Sequence, residues 1–218
     1  VEGAREVSRE AVLQRVRGAL GRSAGQAPGV APPPLMARRE MDVEARVVSW
    51  IQRFEALAGQ AVRVPDTQAA GAWLASFLNG RTAVASNAPY LRECGVDYLP
   101  QVRTGFRDRD SLRAACAEAN VGITSVDYAL AETGTMVMIA SPMEARVISL
   151  LPPAHVAIFS KSRILVGLDE LLTILPQPAE QTSSMVMITG PSRTADIEQI
   201  LVRGVHGPGD VYAVIVDS

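Results

Sequence analysis

Groups that can do chemistry crowd into one run of this chain, ITGPSRTADIEQILVRGVHGPGD, from Ile188 to Asp210. Gly190, Pro191, Ser192, Arg193 and Thr194 combine a permissive backbone with two hydroxyls and a guanidinium. Read with a helix beginning near Ala195, they suit an anion. The free N–H groups of a helix start and an arginine both favour phosphate or carboxylate. A capped turn with a solvated arginine fits the same residues, and Asp196 in a first helical turn would complement the dipole. His206 falls in RGVHGPG, at the negative end of that helix and so at the opposite end of the sheet from Ser192. There it is either a functional group or a histidine satisfying turn carbonyls. The run is neither a Walker A loop nor a Gly-x-Gly-x-x-Gly fingerprint.

A second group lies in DYALAETGTMVM. Glu132, Thr133, Gly134 and Thr135 lead directly into an apolar strand. An acid held against such a strand is partly desolvated, which raises its pKa and suits a nucleophile or general base. An exposed turn carboxylate is the other reading, and Asp127 carries the same ambiguity. In ARVISLLPPAHVAIF, two prolines precede His155 at the start of a strand, where a hydrogen-bonded structural role is expected. No Ser/His/Asp constellation follows from the spacing. Cys94 and Cys116 read as reduced thiols. With two histidines and no cysteine cluster, no intrinsic iron–sulfur or zinc site, and so no metal ligand, is expected.

The elements that must position these groups are read from periodicity. Apolar residues at helical spacing run from about residue 5 to 20 and form an amphipathic helix. GRSAGQAPGVAPPPL follows and supports neither helix nor ladder, so residues 1–34 read as a helix with a Pro/Gly-rich linker, and 35–218 as the main domain. Val43, Val47, Ile51, Phe54 and Ala58 form the stripe of another helix. AVRVP and RTAVASN read as strands, with Asn87 capping the helix entered through APYLREC. TMVMIAS, HVAIFS, SMVMITG and VYAVIVD are continuous apolar runs, as in strands of a parallel sheet covered on both faces. LDELLTIL and ADIEQILV supply helices between them. The expected fold class is α/β, a three-layer α/β/α domain with a mainly parallel sheet. In such sheets the ligand crevice lies beyond the carboxyl ends of the strands.

The 218 residues are 48% hydrophobic and 20% charged, with a formal net charge of −2. That balance fits a globular chain with a real core and gives no global field for nucleic acid. The N-terminus lacks the apolar segment of a signal peptide, and no run approaches the length of a membrane span, so a cytoplasmic protein is expected.

REAVLQRVRGALGR with its Pro-rich spacer, AETGTMVM, SLLPPAHVAIF and above all ITGPSRTADIEQILVRGVHGPG resemble the lactate-utilisation protein C family, the stand-alone LUD domain. The resemblance runs from about Arg5 to the C-terminus. It implies the fold of ribose-5-phosphate isomerase, glucosamine-6-phosphate deaminase and class I CoA transferases. It further implies the cluster-free member of a three-protein bacterial system oxidising L-lactate to pyruvate, with iron–sulfur clusters on the partner proteins. The small anionic ligand would be lactate, pyruvate or a phosphate-like group, held by Thr133, Gly134, Thr135, Gly190, Pro191, Ser192, Arg193, Thr194, Asp196 and His206. Because CoA transferases of this fold use a glutamate close to a glycine, Glu132 becomes a candidate nucleophile by analogy. Two other readings stay open: a free-standing enzyme on a phosphorylated, acyl or CoA substrate using Glu132, and a non-catalytic assembly module docking through its N-terminal helix.

Overall fold

Acidic N-caps and apolar stripes punctuate the chain, for which a computed structural model describes residues 9–26, 40–195 and 201–218. Two units divide it, Val1–Leu35 and Met36–Ser218. The first contains α1, Arg9–Ala19, with Glu10 in its first turn and Arg17 in its last, both favourable to the helix dipole. Residues 5–8 of the expected helix and 27–35 of the expected spacer lie outside the described residues.

The second unit opens with α2, Val43–Ala56. Asp42 caps it by accepting a hydrogen bond from the Ala45 N–H at 2.8 Å. Its buried stripe is Val47, Trp50 and Phe54. Strand β1, Gln60–Val64, leads to α3, Thr67–Phe77, which Asp66 caps in the same way at 2.7 Å. Then come β2 (Ala83–Ala85), α4 (Pro89–Glu93), β3 (Val102–Arg103), α5 (Arg109–Glu118) and β4 (Val121–Ser125). The next stretch holds β5 (Tyr128–Leu130), β6 (Thr135–Ile139), α6 (Val147–Leu150), β7 (Ala154–Ser160), β8 (Ile164–Leu165) and α7 (Leu168–Ile174). It closes with α8 (Pro178–Gln181), β9 (Met185–Ile188), β10 (Arg193–Ala195), β11 (Leu201–Arg203) and β12 (Asp210–Val216).

The fold is α/β. Six strands form a sheet in the order β1-β12-β7-β4-β2-β3, and every neighbouring pair is parallel. One face packs Val64, Ala83, Ile123, Val156 and Val214 against Leu74 and Leu78 at the α3 end and Leu91 of α4. The opposite face carries α2 over Ala157, Phe159, Ala213 and Ile215, and α5 with α6 over Val84. Trp50 anchors that side: it stacks on Phe54 at 4.6 Å, meets Phe159 edge-on, and donates its indole N–H to the Thr135 carbonyl at 3.1 Å. Each such fully buried large side chain stabilises the fold by about 1.5–3 kcal/mol. At Gly122 of β4 a side chain would run into the Ile148 carbonyl, so glycine is what lets α6 lie directly on the sheet.

Two of the expected parallel strands belong elsewhere. The runs TMVMI and MVMI are β6 and β9, paired antiparallel in a second sheet of order β8-β5-β6-β9. This sheet shares the α2 layer and is itself covered twice. Ala129, Met136 and Ile164 face the α2 core, while Leu130, Val137 and Leu165 pack with Leu171 of α7. Double burial gives a continuous apolar run whichever way the neighbours point, which is why the pattern read as parallel.

The expected helix over ADIEQILV is also replaced at both of its described ends. Arg193–Ala195 and Leu201–Arg203 pair antiparallel, Thr194 opposite Val202, with β-branched residues suited to a ladder. Residues 196–200, including Asp196, lie outside the described residues. Among the described residues no helix is long and apolar enough to cross a membrane.

Candidate functional site

The chain leaves β2 toward α4 on one face of the main sheet, whereas the connection from β4 to β7 runs over the other face through the second sheet and α6. The carboxyl ends of the adjacent strands β2 and β4 therefore diverge, the arrangement that opens a crevice in an α/β sheet. Farther along the same edge the opening is closed by charge. Arg63 at the end of β1 grips Glu44 through two hydrogen bonds of 2.7 and 2.8 Å and Asp217 through one of 2.7 Å, with Lys161 beside both acids.

Three polar side chains meet at the β2/β4 divergence. Ser86 follows β2, Ser125 ends β4, and Glu144 reaches in from the loop before α6. Glu144 Oε2 accepts from Ser86 Oγ at 2.9 Å, Ser125 Oγ at 3.0 Å and the Ser125 N–H at 3.3 Å. Its other oxygen, Oε1, is buried without a partner among the described residues. Burial pushes the Glu144 carboxyl up to about 7; the Ser86 and Ser125 hydrogen bonds oppose that rise, and the Asp127 charge adds to it. Asp127 accepts from the Ile139 N–H at 2.6 Å, and burial raises its pKa too. The loop holding Glu144 is closed on itself, Ser141 and Glu144 exchanging backbone hydrogen bonds of 3.2 Å.

Asn87, expected to cap α4, frames this crevice instead. The N-cap is Ala88, with no side-chain hydrogen bond. Asn87 Oδ1 accepts from the Gly105 N–H at 2.9 Å and Thr104 Oγ1 at 3.2 Å, and its Nδ2 donates to the Phe106 carbonyl at 3.1 Å. The loop after β3 is thus tied to the end of β2. A proline at the first helical position sets the start of α4 without a cap.

The groups singled out from sequence lie elsewhere. Gly190 to Thr194 and Gly204 to Pro208 sit together at the amino edge of the main sheet, where Gly209 donates to the Pro153 carbonyl just before β7. The Ser192 N–H donates to Pro208 O at 2.9 Å, and the Gly204 N–H to Ser192 O at 3.1 Å. His206 and Ser192 thus share one end, not opposite ends, because Arg193–Ala195 and Leu201–Arg203 pair as antiparallel strands. Arg193–Ala195 is a strand, so the expected helix start at Thr194 is absent. The Arg193 guanidinium donates to the Leu57 carbonyl at the C-terminus of α2, where a cation is favourable. His206 is exposed, and Pro191 is buried.

Two of the sequence groups do converge. Thr135 Oγ1 lies 2.7 Å from Thr133 Oγ1 and 2.9 Å from Thr189 Oγ1, linking the 133–135 turn to the residue before Gly190. Gly134, at φ 65°, turns where a side chain would strike the α2 backbone at Phe54. Glu132 stands apart from this chain and is exposed, its carboxylate facing Gly167 and Asp169. The expected desolvation against β6 does not occur, since the turn projects beyond the strand. It lies at the far end of the β5–β6 hairpin from Asp127 and Glu144.

His155 is fully buried, 2.8 Å from Thr124 Oγ1 through Nε2, and burial lowers its pKa to about 3. It is a neutral core residue. Among the described residues no group of three or more His, Cys, Asp or Glu side chains is arranged to hold a metal ion.

Glu144 was not signalled by sequence. Its only traces there are the serines that end two apolar strands, in RTAVAS and VGITS, at the edge where α/β sheets bind ligands.

Known proteins share this framework. A "DUF162 family protein" from Deinococcus radiodurans, solved by crystallography, is similar with a TM-score of 0.62, covering 81% of this chain and 99% of its own; at 16% identity the likeness concerns the fold. A protein named "Lactate utilization protein C" from Anoxybacillus flavithermus is 43% identical over 112 residues, 51% of this chain and 50% of its own. One of the same name from Halalkalibacterium halodurans is 32% identical over 148 residues, 64% of each chain. The chain thus matches about half of the first of these relatives. The LUD domain model matches residues 47–216, from within α2 to the end of β12. The chain belongs to the LUD domain family.

Proposed function

We propose that this chain is the cluster-free component of a bacterial L-lactate utilisation system that oxidises L-lactate to pyruvate. The observation that carries the reading is the LUD domain match over residues 47–216, joined to relatives named for lactate utilisation. The oxidation releases two electrons and two protons. The electrons pass to iron–sulfur proteins acting as partners. The thiols here do not fit a cluster of their own: Cys94 and Cys116 are buried, and burial pushes each up to about 11, away from the thiolate that iron binds.

For the protons this chain offers Glu144. A carboxyl with a pKa near 7 exchanges protons at neutral pH, and it lies at the strand divergence where α/β sheets hold substrates. Since Oε1 has no exposed surface, a hydroxy acid reaches it only when the packing around Glu144 opens. In this role Glu144 takes the hydroxyl proton of lactate, while the C2–H bond breaks with its proton going to solvent water and its two electrons passing one at a time to the iron–sulfur partners.

Deleting the coding sequence in its host is expected to abolish growth on L-lactate while leaving growth on pyruvate intact, with restoration by the wild-type chain. Unimpaired growth on L-lactate after deletion would overturn the assignment. Lactate oxidation by the purified chain with a soluble dye would instead favour a free-standing enzyme.

A further inference from the structure

Beside the strand divergence lies a groove with a different chemistry from anything a single carboxylate requires. It runs between the start of α5 and the loop leading into α6, with a volume of about 740 Å³. Four guanidinium groups line it: Arg107, Arg109, Arg113 and Arg146. The one acid among its walls, Asp108, is engaged as the cap of α5, accepting from the Ser111 N–H at 2.8 Å. None of the four arginines is paired with a carboxylate among the described residues, although six other basic side chains there are. Among the described residues the Arg146 guanidinium makes only a neutral hydrogen bond, to Ser184 Oγ at 3.2 Å.

Four like charges gathered without counterions repel one another, and bound anions relieve that repulsion. Apart from Ser141, the remaining walls are apolar. Phe106, Leu112, Val147, Leu150 and Leu151 give the groove an apolar flank, and Leu150 and Leu151 stay 43% and 44% exposed. A ligand that satisfies both surfaces has two or more negative charges at one end and a flat or apolar body at the other. The volume is that of a drug-sized ligand, several times a lactate.

We infer that this groove binds an organic diphosphate of nucleotide size, its phosphates on the four arginines and its base or other apolar body along the Leu150–Leu151 flank. This goes beyond lactate utilisation and does not depend on it. The groove also touches the Glu144 loop: Ser141, which lines it, holds Glu144 through backbone hydrogen bonds, and Asn87 ties Phe106 to the end of β2. An occupant would thus press on the loop that carries Glu144.

Isothermal titration of the full chain with ADP, AMP, inorganic pyrophosphate and L-lactate tests the inference, at 50 and 200 mM salt. ADP is expected to bind more tightly than AMP or pyrophosphate, each lacking one half of the recognition, with affinity falling severalfold at the higher salt. Arg113→Ala and Arg146→Ala are each expected to weaken ADP at least tenfold, whereas Arg81→Ala, outside the groove, leaves it unchanged. The substituted arginines are solvent-exposed, and circular dichroism with thermal melting verifies that each variant is folded. No ADP binding at millimolar concentration would overturn the inference, as would binding indifferent to both groove substitutions. So would preferential capture of an acidic peptide such as polyglutamate. None of these outcomes bears on growth on lactate, so the two readings fail separately.

Discussion

Glu144 has been taken out of water on nearly every side, yet only one of its two oxygens is compensated. That asymmetry separates it from Glu132, which keeps its hydration at an exposed turn. If proton transfer in lactate oxidation depends on Glu144, Glu144→Gln in the reconstituted system lowers turnover by about 10²–10⁴-fold. Glu132→Gln should change it by less than tenfold. Turnover is also expected to fall as pH drops through about 7, because the base form is lost there. Ser86→Ala removes a donor that favours the ionised form, so it should move that profile to higher pH. Initial rates across pH for the three variants decide between the two acids. A collapse confined to Glu132→Gln would return the role to the turn before β6.

At the level of elements, the two hydrophobic clusters flanking the main sheet, and the two smaller ones, draw on residues from Val47 onward. Deleting residues 1–34 is therefore expected to leave a cooperatively melting protein with a melting temperature within a few degrees of the full chain. A molten or insoluble product would mean that α1 completes the core. The elements also show what a one-dimensional reading can reach. The core strands β7 and β12 were legible as HVAIFS and VYAVIVD because burial on both faces leaves no other pattern. The partners of β6 and β9 were not, since double burial by α2 and α7 writes the same pattern into an antiparallel sheet. In ADIEQILV the apolar spacing favours a helix locally, and nothing nearby records that Arg193–Ala195 meets Leu201–Arg203. Gly134 was legible only as the residue leading into β6; what requires glycine there is the α2 backbone beside it. The acid at the crevice escaped notice for a related cause: Ser86 and Glu144 stand 58 residues apart and become neighbours only once β2 and β4 are paired.

For the whole molecule, two buried groups push stability in opposite directions with pH. Glu144 rises from 4.5 to about 7 on folding, so the folded state holds a proton the unfolded chain has released. Its stabilisation is complete below pH 4.5 and is lost as pH rises toward 7, with a total on the order of 3 kcal/mol. Asp127, also raised, acts with the same sign. His155 falls from 6.5 to about 3, so between those values the unfolded chain binds the extra proton and stability rises with pH. From about pH 4.5 to 6.5 the terms oppose, and the wild-type chain should show a shallow dependence. Glu144→Gln is expected to unmask a stability that climbs toward pH 6.5, and His155→Gln one that declines over the same range. Urea titrations at half-unit pH intervals measure both slopes, and parallel slopes in the two variants would contradict the assignment. The order of strands has a consequence for how the chain is made. β12, the last strand of the sheet to be synthesised, lies between β1 and β7, pairing Gln60 with Tyr212 on one side and Ala157 with Ala213 on the other. Until it leaves the ribosome, the nascent chain carries two strands with open edges and an unfilled slot between them. Those edges are templates for mispairing with neighbouring nascent chains. Translation pausing just before residue 210 would lengthen that vulnerable interval, and a chaperone that shields strand edges would matter most there.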